Sequence, residues 1–162
     1  EISPRETGKS LREKIGIDAA RLLERNFDKI AEKTLAFTPQ KEENATYSRK
    51  ISKSDLYLDF SKSARELDLR IRAFGCGIVS INGEVLKIGE AFANSGGKNI
   101  KFGMVASVSK DRILISCAEG FLNVQKIQAP CAKMLSVSQF LNGYKIDHGV
   151  VFDKFENEKL LK

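Results

Sequence analysis

The chain has 162 residues, 42% of them hydrophobic and 30% charged, and a formal net charge of +6. That balance excludes a disordered polymer, and the length allows one domain or one domain with an appendage. No apolar run approaches the ~20 residues of a membrane span and no signal-peptide pattern opens the chain, so no membrane association is expected.

With no Trp and three Tyr, the core must come from Phe, Ile, Leu and Val. The three cysteines, Cys76, Cys117 and Cys131, are odd in number and share no CxxC spacing. Together with the single histidine, His148, they make no zinc set, so no metal is expected. An odd count without a framework fits a reducing, cytoplasmic setting and three plain buried or half-buried thiols. The positive excess is uneven. Residues 1–40 hold 8 basic and 7 acidic side chains, 41–110 hold 12 and 8, and 111–162 hold 7 and 6. The middle region is therefore where a polyanion would be gripped. A merely solubilising surface is the plainer alternative.

In chain order, Ser10-Leu11-Arg12-Glu13 has capping-box spacing and predicts a short helix ended by Gly16. Asp18 then caps a longer one, whose stripe is Ala19, Leu22, Leu23, Phe27 and Ile30. Two such helices cannot bury their stripes alone and imply a neighbour. The polar, Pro39-interrupted stretch that follows predicts a linker over 37–50. Ser63-Ala64-Arg65-Glu66 is a second capping box. Behind it Ala64, Leu67, Ile71 and Phe74 share one helical face, Leu69 lies on the other and needs a second partner, and Gly75 is the left-handed stop.

After Gly77 the period changes to two. Ile78 to Ile81 and Glu84 to Ala93 flank Asn82-Gly83, the strongest two-residue hairpin signal. Met104 to Val108, Arg112 to Cys117 and Phe121 to Ile127 are three further strands, with turns at Lys110-Asp111 and Glu119-Gly120. Five short strands at this spacing predict an α+β, mainly β fold, a small closed antiparallel barrel with flanking helices and an N-terminal helical segment. Ile71 and Phe74 should be buried against that barrel. Ser136 to Leu141 predicts a short helix, and 153–162 a frayed charged tail.

Several motifs in order carry a resemblance. Ala45-Thr46-Tyr47-Ser48-Arg49-Lys50-Ile51, Leu58-Asp59-Phe60 and Ile71-Arg72-Ala73-Phe74 are followed by Gly120-Phe121-Leu122 and Phe140-Leu141-Asn142-Gly143. Their spacing resembles the C-terminal half of methionyl-tRNA formyltransferase. Ser3-Pro4-Arg5-Glu6-Thr7-Gly8 resembles the end of that family's catalytic domain, and Thr38-Pro39-Gln40 its linker. The resemblance implies that 1–36 closes a truncated catalytic domain. Residues 51–152 would form a barrel like an oligonucleotide/oligosaccharide-binding fold. Two departures stand out: Gly75-Cys76-Gly77 replaces a Pro-rich turn, and Ala132-Lys133 replaces a basic pair. The start at Glu1 without Met fits a fragment lacking the N-terminal catalytic domain.

By the same resemblance, the family formylates the amino group of methionyl initiator tRNA with 10-formyltetrahydrofolate as co-substrate. Its catalytic Asn, His and Asp lie upstream, so this fragment should hold no catalytic residue and no cofactor. The expected partners are initiator methionyl-tRNA and the missing catalytic domain. Candidate tRNA-binding residues are Lys41, Arg49, Lys50 and Lys53 around the linker, Arg72 beside the helix stripe, and Lys87, Lys98 and Lys101 on the barrel. Arg72 could equally be a structural ion-pair partner, and Lys98 and Lys101 plain solvent-facing charges. The alternatives are another folate-dependent formyltransferase (for nucleotide sugars, or formyltetrahydrofolate dehydrogenase) and a free-standing nucleic-acid-binding barrel. A sugar substrate gives no reason for a basic middle region.

Overall fold

A computed structural model describes residues 1–96 and 101–155, which divide into two units after Lys50. The first is dominated by α1 (Gly8–Ala31), a single helix of 24 residues. The spacing predicts two helices divided at Gly16; the structure has one because the cap lies earlier. Thr7 is the N-cap, its hydroxyl accepting from the Ser10 N–H at 3.1 Å while Ser10 Oγ accepts from the Thr7 N–H at 3.0 Å. Gly16 then falls mid-helix, where it costs about 1 kcal/mol relative to alanine without breaking the hydrogen-bond ladder. The carboxylate of Glu6 accepts from Lys14 Nζ and Ser10 Oγ, and those bonds hold its pKa at about 2. No residue of α1 is buried, and Ile15, Leu22, Leu23, Phe27 and Ile30 are all exposed.

The second unit begins with a 3-10 turn, Lys53–Leu56, and then α2 (Ala64–Phe74). The Ser63/Glu66 box caps α2, and Gly75 ends it at φ +82°. Ala64, Leu67 and Ile71 are buried as their spacing predicts. Phe74 is not: it is half-buried, outside the core cluster, with the Arg70 guanidinium 5.7 Å from its ring centroid. Leu69 stays exposed on the opposite face.

The strands are β1 (Gly77–Ile81), β2 (Glu84–Asn94), β3 (Val105–Ser109), β4 (Arg112–Ser116), β5 (Phe121–Gln128) and β6 (Leu135–Ser136), with α3 (Val137–Phe140) last. They form one antiparallel sheet in the order β1-β2-β5-β4-β3, and β6 extends the β4 side of β5. Asn82 and Gly83 take φ +51° and +81°, the primed turn their sequence demands. A bulge in β2 between Ile88 and Ala91 resets the alternation, so that Leu86, Ile88 and Ala91 all face inward.

The closed barrel is corrected. β1 and β3 are the ends of the ladder and do not pair with each other among the described residues. Other chain covers those ends. Leu58 N–H donates to the Ile78 carbonyl at 2.9 Å on the β1 edge. On the other side Val105 N–H donates to Val150, and Phe152 N–H to Gly103. Asp153 N–H then donates to Ser80 of β1 at 2.9 Å. The segment 150–153 thus runs from the β3 side to β1, and Phe152 is fully buried. Of the tail expected over 153–162, Asp153 is hydrogen-bonded and the Phe155 ring centroid lies 4.1 Å from that of Tyr57, while 156–162 lie outside the described residues.

The core is Phe, Ile, Leu and Val as the composition requires, centred on Leu67, Ile71, Leu86, Ile88, Ile115, Leu122 and Phe152. Of the cysteines, Cys117 is buried and Cys76 half-buried, whereas Cys131 is exposed in a turn at φ +55°. The expectation of three covered thiols therefore fails at Cys131.

Candidate nucleic-acid interface

The basic residues singled out from the sequence fall in different surroundings. In the first unit, Lys41 is exposed and precedes a 3-10 turn that begins with Glu42 and Glu43, so its charge is locally offset. Arg49 is half-buried, its Nη1 donating to the Lys50 carbonyl at 3.1 Å, while Lys50 itself is exposed.

In the second unit, Lys53 is exposed on a turn held by Asp55, which accepts from the Ser52 N–H at 2.7 Å and the Ser52 hydroxyl at 3.0 Å. Arg72 lies on α2 with its Nε 3.3 Å from Asp68 Oδ2, and the two side chains are only 14% and 9% exposed. A guanidinium so covered presents little to a ligand. Lys87 is exposed on β2 between the buried Leu86 and Ile88. Lys101 is exposed at a turn before β3. Lys98 lies outside the described residues. Lys53, Lys87 and Lys101 thus belong to one unit and reach solvent, and Arg72 is drawn into the fold.

Acidic side chains shape this surface as much as the basic ones. Asp55, Asp59 and Asp68 are all buried. Asp59 accepts from the Ser61 N–H at 3.0 Å and from its hydroxyl at 2.6 Å. Three of the eight carboxylates of residues 41–110 are therefore withdrawn from solvent, which leaves the lysines of that stretch less opposed at the surface than formal charge suggests.

His148 is exposed beside Asp147 on the 147–150 turn. Burial pushes the Cys117 thiol up to about 12, so it is held protonated. Among the described residues no three His, Cys, Asp or Glu side chains converge in a way that could hold a metal. No described helix is long and apolar enough to cross a membrane.

The formyl transferase C-terminal domain family matches residues 50–145. The chain belongs to that family. Methionyl-tRNA formyltransferase of Burkholderia multivorans is 31% identical over 93% of this chain and 47% of its own length. That of Dechloromonas aromatica is 34% identical over 94% of the chain and 49% of its own. The chain thus spans about half the length of the curated relatives it matches. Among solved structures, HypX from Aquifex aeolicus superposes with a TM-score of 0.60 over 96% of this chain and 32% of its own, at 14% identity, a likeness of fold alone.

The formyltransferase C-terminal fold gives the departures at Gly75-Cys76-Gly77 a physical reading in this member. Gly75 supplies the left-handed helix stop. Gly77 lies against buried Leu58, and a Cβ there would come within 2.6 Å of that side chain. Sequence reasoning saw a permissive turn; the close approach needed the fold. It also passed over Phe102, an exposed aromatic whose signal is a large apolar residue between Lys101 and Gly103 in a loop.

Proposed function

We propose that this chain is the tRNA-holding part of a methionyl-tRNA formyltransferase. The observation that carries the reading is the extent of the match: relatives of that name align over 93–94% of the chain, beyond the 50–145 of the family domain and through the first unit. In the whole enzyme an upstream domain moves a formyl group from 10-formyltetrahydrofolate to the α-amino group of methionine on initiator tRNA. The present chain grips the tRNA and brings its acceptor end to that domain. Fixing reactants in place supplies a large part of a transfer catalyst's advantage. The chemistry needs a base for the amine proton and donors for the tetrahedral oxyanion. On this reading those groups belong to the upstream domain.

Lys53, Lys87 and Lys101, with Lys41, Arg49, Lys50 and Lys98, provide phosphate contacts. A-form stems are held by shape and backbone, for which solvent-facing cations suffice. Binding of initiator tRNA should therefore weaken steeply with salt. Replacing Lys87 and Lys101 together with Ala should flatten the slope of log K against log salt by roughly one to two units. An unchanged slope would remove both residues from the interface, and the absence of tRNA binding would overturn the proposal.

A further inference from the structure

A second feature of the same unit points to how RNA is held beyond its phosphates. Asp59, Phe60, Phe102, Phe152, Asp153 and Lys154 line a cleft of about 180 Å³. This is below the ~300–1,000 Å³ of pockets for drug-sized ligands. It suits one ring system and not an extended molecule. Its floor is the buried Phe60–Phe152 pair, with ring centroids 6.0 Å apart and planes at 27°. Phe102 stands at its rim, 47% exposed.

That exposure is built in. Lys101-Phe102-Gly103-Met104 is a tight turn in which Met104 N–H donates to the Lys101 carbonyl at 3.1 Å and Gly103 takes φ +76°, the pattern of a type II turn. Ser116 anchors the turn from β4: its carbonyl accepts from Gly103 N–H at 2.9 Å, and its hydroxyl donates to the Lys101 carbonyl. Gly103 also accepts from Phe152 N–H at 2.9 Å and lies so near Phe60 that a Cβ would come within 3.2 Å of the ring. The backbone that carries Phe102 is thus fixed from two sides, and its ring stands 47% exposed. A large apolar ring is held in solvent on a pinned backbone, beside a cleft floored by two more.

The polar rim fits a nucleotide. Both rim carboxylates are tied to protein donors, Asp59 Oδ1 to Ser61 and Asp153 Oδ2 to the Ser80 hydroxyl. Asp59 is only 8% exposed but lines the cleft, and its Oδ2, which accepts no hydrogen bond among the described residues, is the acceptor left for an exocyclic amino group. Lys154 lines the cleft and Lys101 precedes Phe102, two cations placed for flanking phosphates. Aromatic rings beside a basic rim are the means by which proteins hold unpaired nucleotides.

We propose that this cleft receives one unpaired, amino-bearing nucleobase of a bound RNA, stacked against Phe102. The proposal rests on the reading of the chain as an RNA-binding module. Because the chain contains no Trp, Phe102→Trp places a single indole emitter at the rim while keeping a flat ring. Single-stranded oligoadenylate should quench that emission. Phe102→Ala, and likewise the apolar but ringless Phe102→Leu, should weaken oligoadenylate binding by roughly 5- to 150-fold, the range found when a stacking ring is lost. Duplex RNA of the same length should bind both variants as it binds the parent chain. Emission that oligoadenylate leaves unchanged, quenching by an apolar peptide in place of RNA, or equal losses for single strand and duplex would overturn the proposal. Salt-dependent duplex binding would meanwhile keep the RNA reading intact. A parent chain that bound neither RNA would overturn both.

Discussion

Gly120 and Gly75 allow backbone strain to be separated from steric contact. Both take positive φ, +74° and +82°, so alanine at either carries the left-handed penalty of about 1–2 kcal/mol, partly offset by the ~0.4–1 kcal/mol that a less flexible unfolded chain returns. Their surroundings differ. Around Gly75 a Cβ meets nothing within 4 Å, whereas at Gly120 it would stand 2.3 Å from the Asn94 carbonyl oxygen. That oxygen belongs to main chain at the last rung of the β2–β5 ladder, Asn94 opposite Phe121. It cannot rotate away as a side chain would. The neighbouring Glu119 carbonyl accepts from Ala64 N–H at 2.9 Å, so the turn is also fastened to the start of α2. Relieving the contact means moving the sheet or the helix, which adds the roughly 1–3 kcal/mol typical of overpacking. Gly75→Ala should therefore cost about 1 kcal/mol and Gly120→Ala about 2–4 kcal/mol in urea unfolding. A kilocalorie is worth about 4–8 °C in a domain of roughly this size, so melting temperatures should separate the two variants clearly. Equal destabilisation would refute the contact reasoning and leave the dihedral as the whole effect.

The lowered pKa of Glu6 gives the N-terminus of α1 a defined acid sensitivity. Its contribution is complete above the ordinary value of 4.5 and is lost as pH falls through about 2, so amide exchange at Thr7–Leu11 should rise only in that window and Glu6→Gln should abolish the transition. Thiol reagents at neutral pH should modify exposed Cys131 first and half-buried Cys76 more slowly; Cys117, buried and pushed up to about 12, should react only on unfolding. Purified chain mixed with charged initiator tRNA and 10-formyltetrahydrofolate should form no formylmethionyl product, and product formation abolished by His148→Ala would show that a catalytic group had been overlooked.

Elements whose signals lie within a few residues were legible in the sequence. The Ser63/Glu66 cap, the Gly75 stop and the Asn82-Gly83 hairpin each follow from hydrogen bonds or φ values internal to the segment. The alternation of β1, β4 and β5 is equally local, and the ordered motifs from Ala45 to Gly143 were enough to point to the family. The placement of the first cap was local too, but Ser10 fits both a cap and the third helical position, and only the Thr7–Ser10 bonds separate the two. The tertiary structure decided the rest. That the two ends of the sheet are covered and not paired with each other depends on residues 150–153 reaching both Gly103 and Ser80, and Ser80 and Asp153 stand 73 positions apart. Phe74 and Phe152 are equally apolar in the sequence, yet the end of α2 leaves one half-covered while the crossing segment seals the other in. Arg72 and Lys87 are equally basic, yet packing leaves Arg72 and its neighbour Asp68 only 14% and 9% exposed while Lys87 reaches solvent. Local patterns encode hydrogen-bond periods and steric limits on single residues; burial, pairing of distant edges and the exposure of Phe102 are properties of which segments meet, and these arise only when the chain has packed.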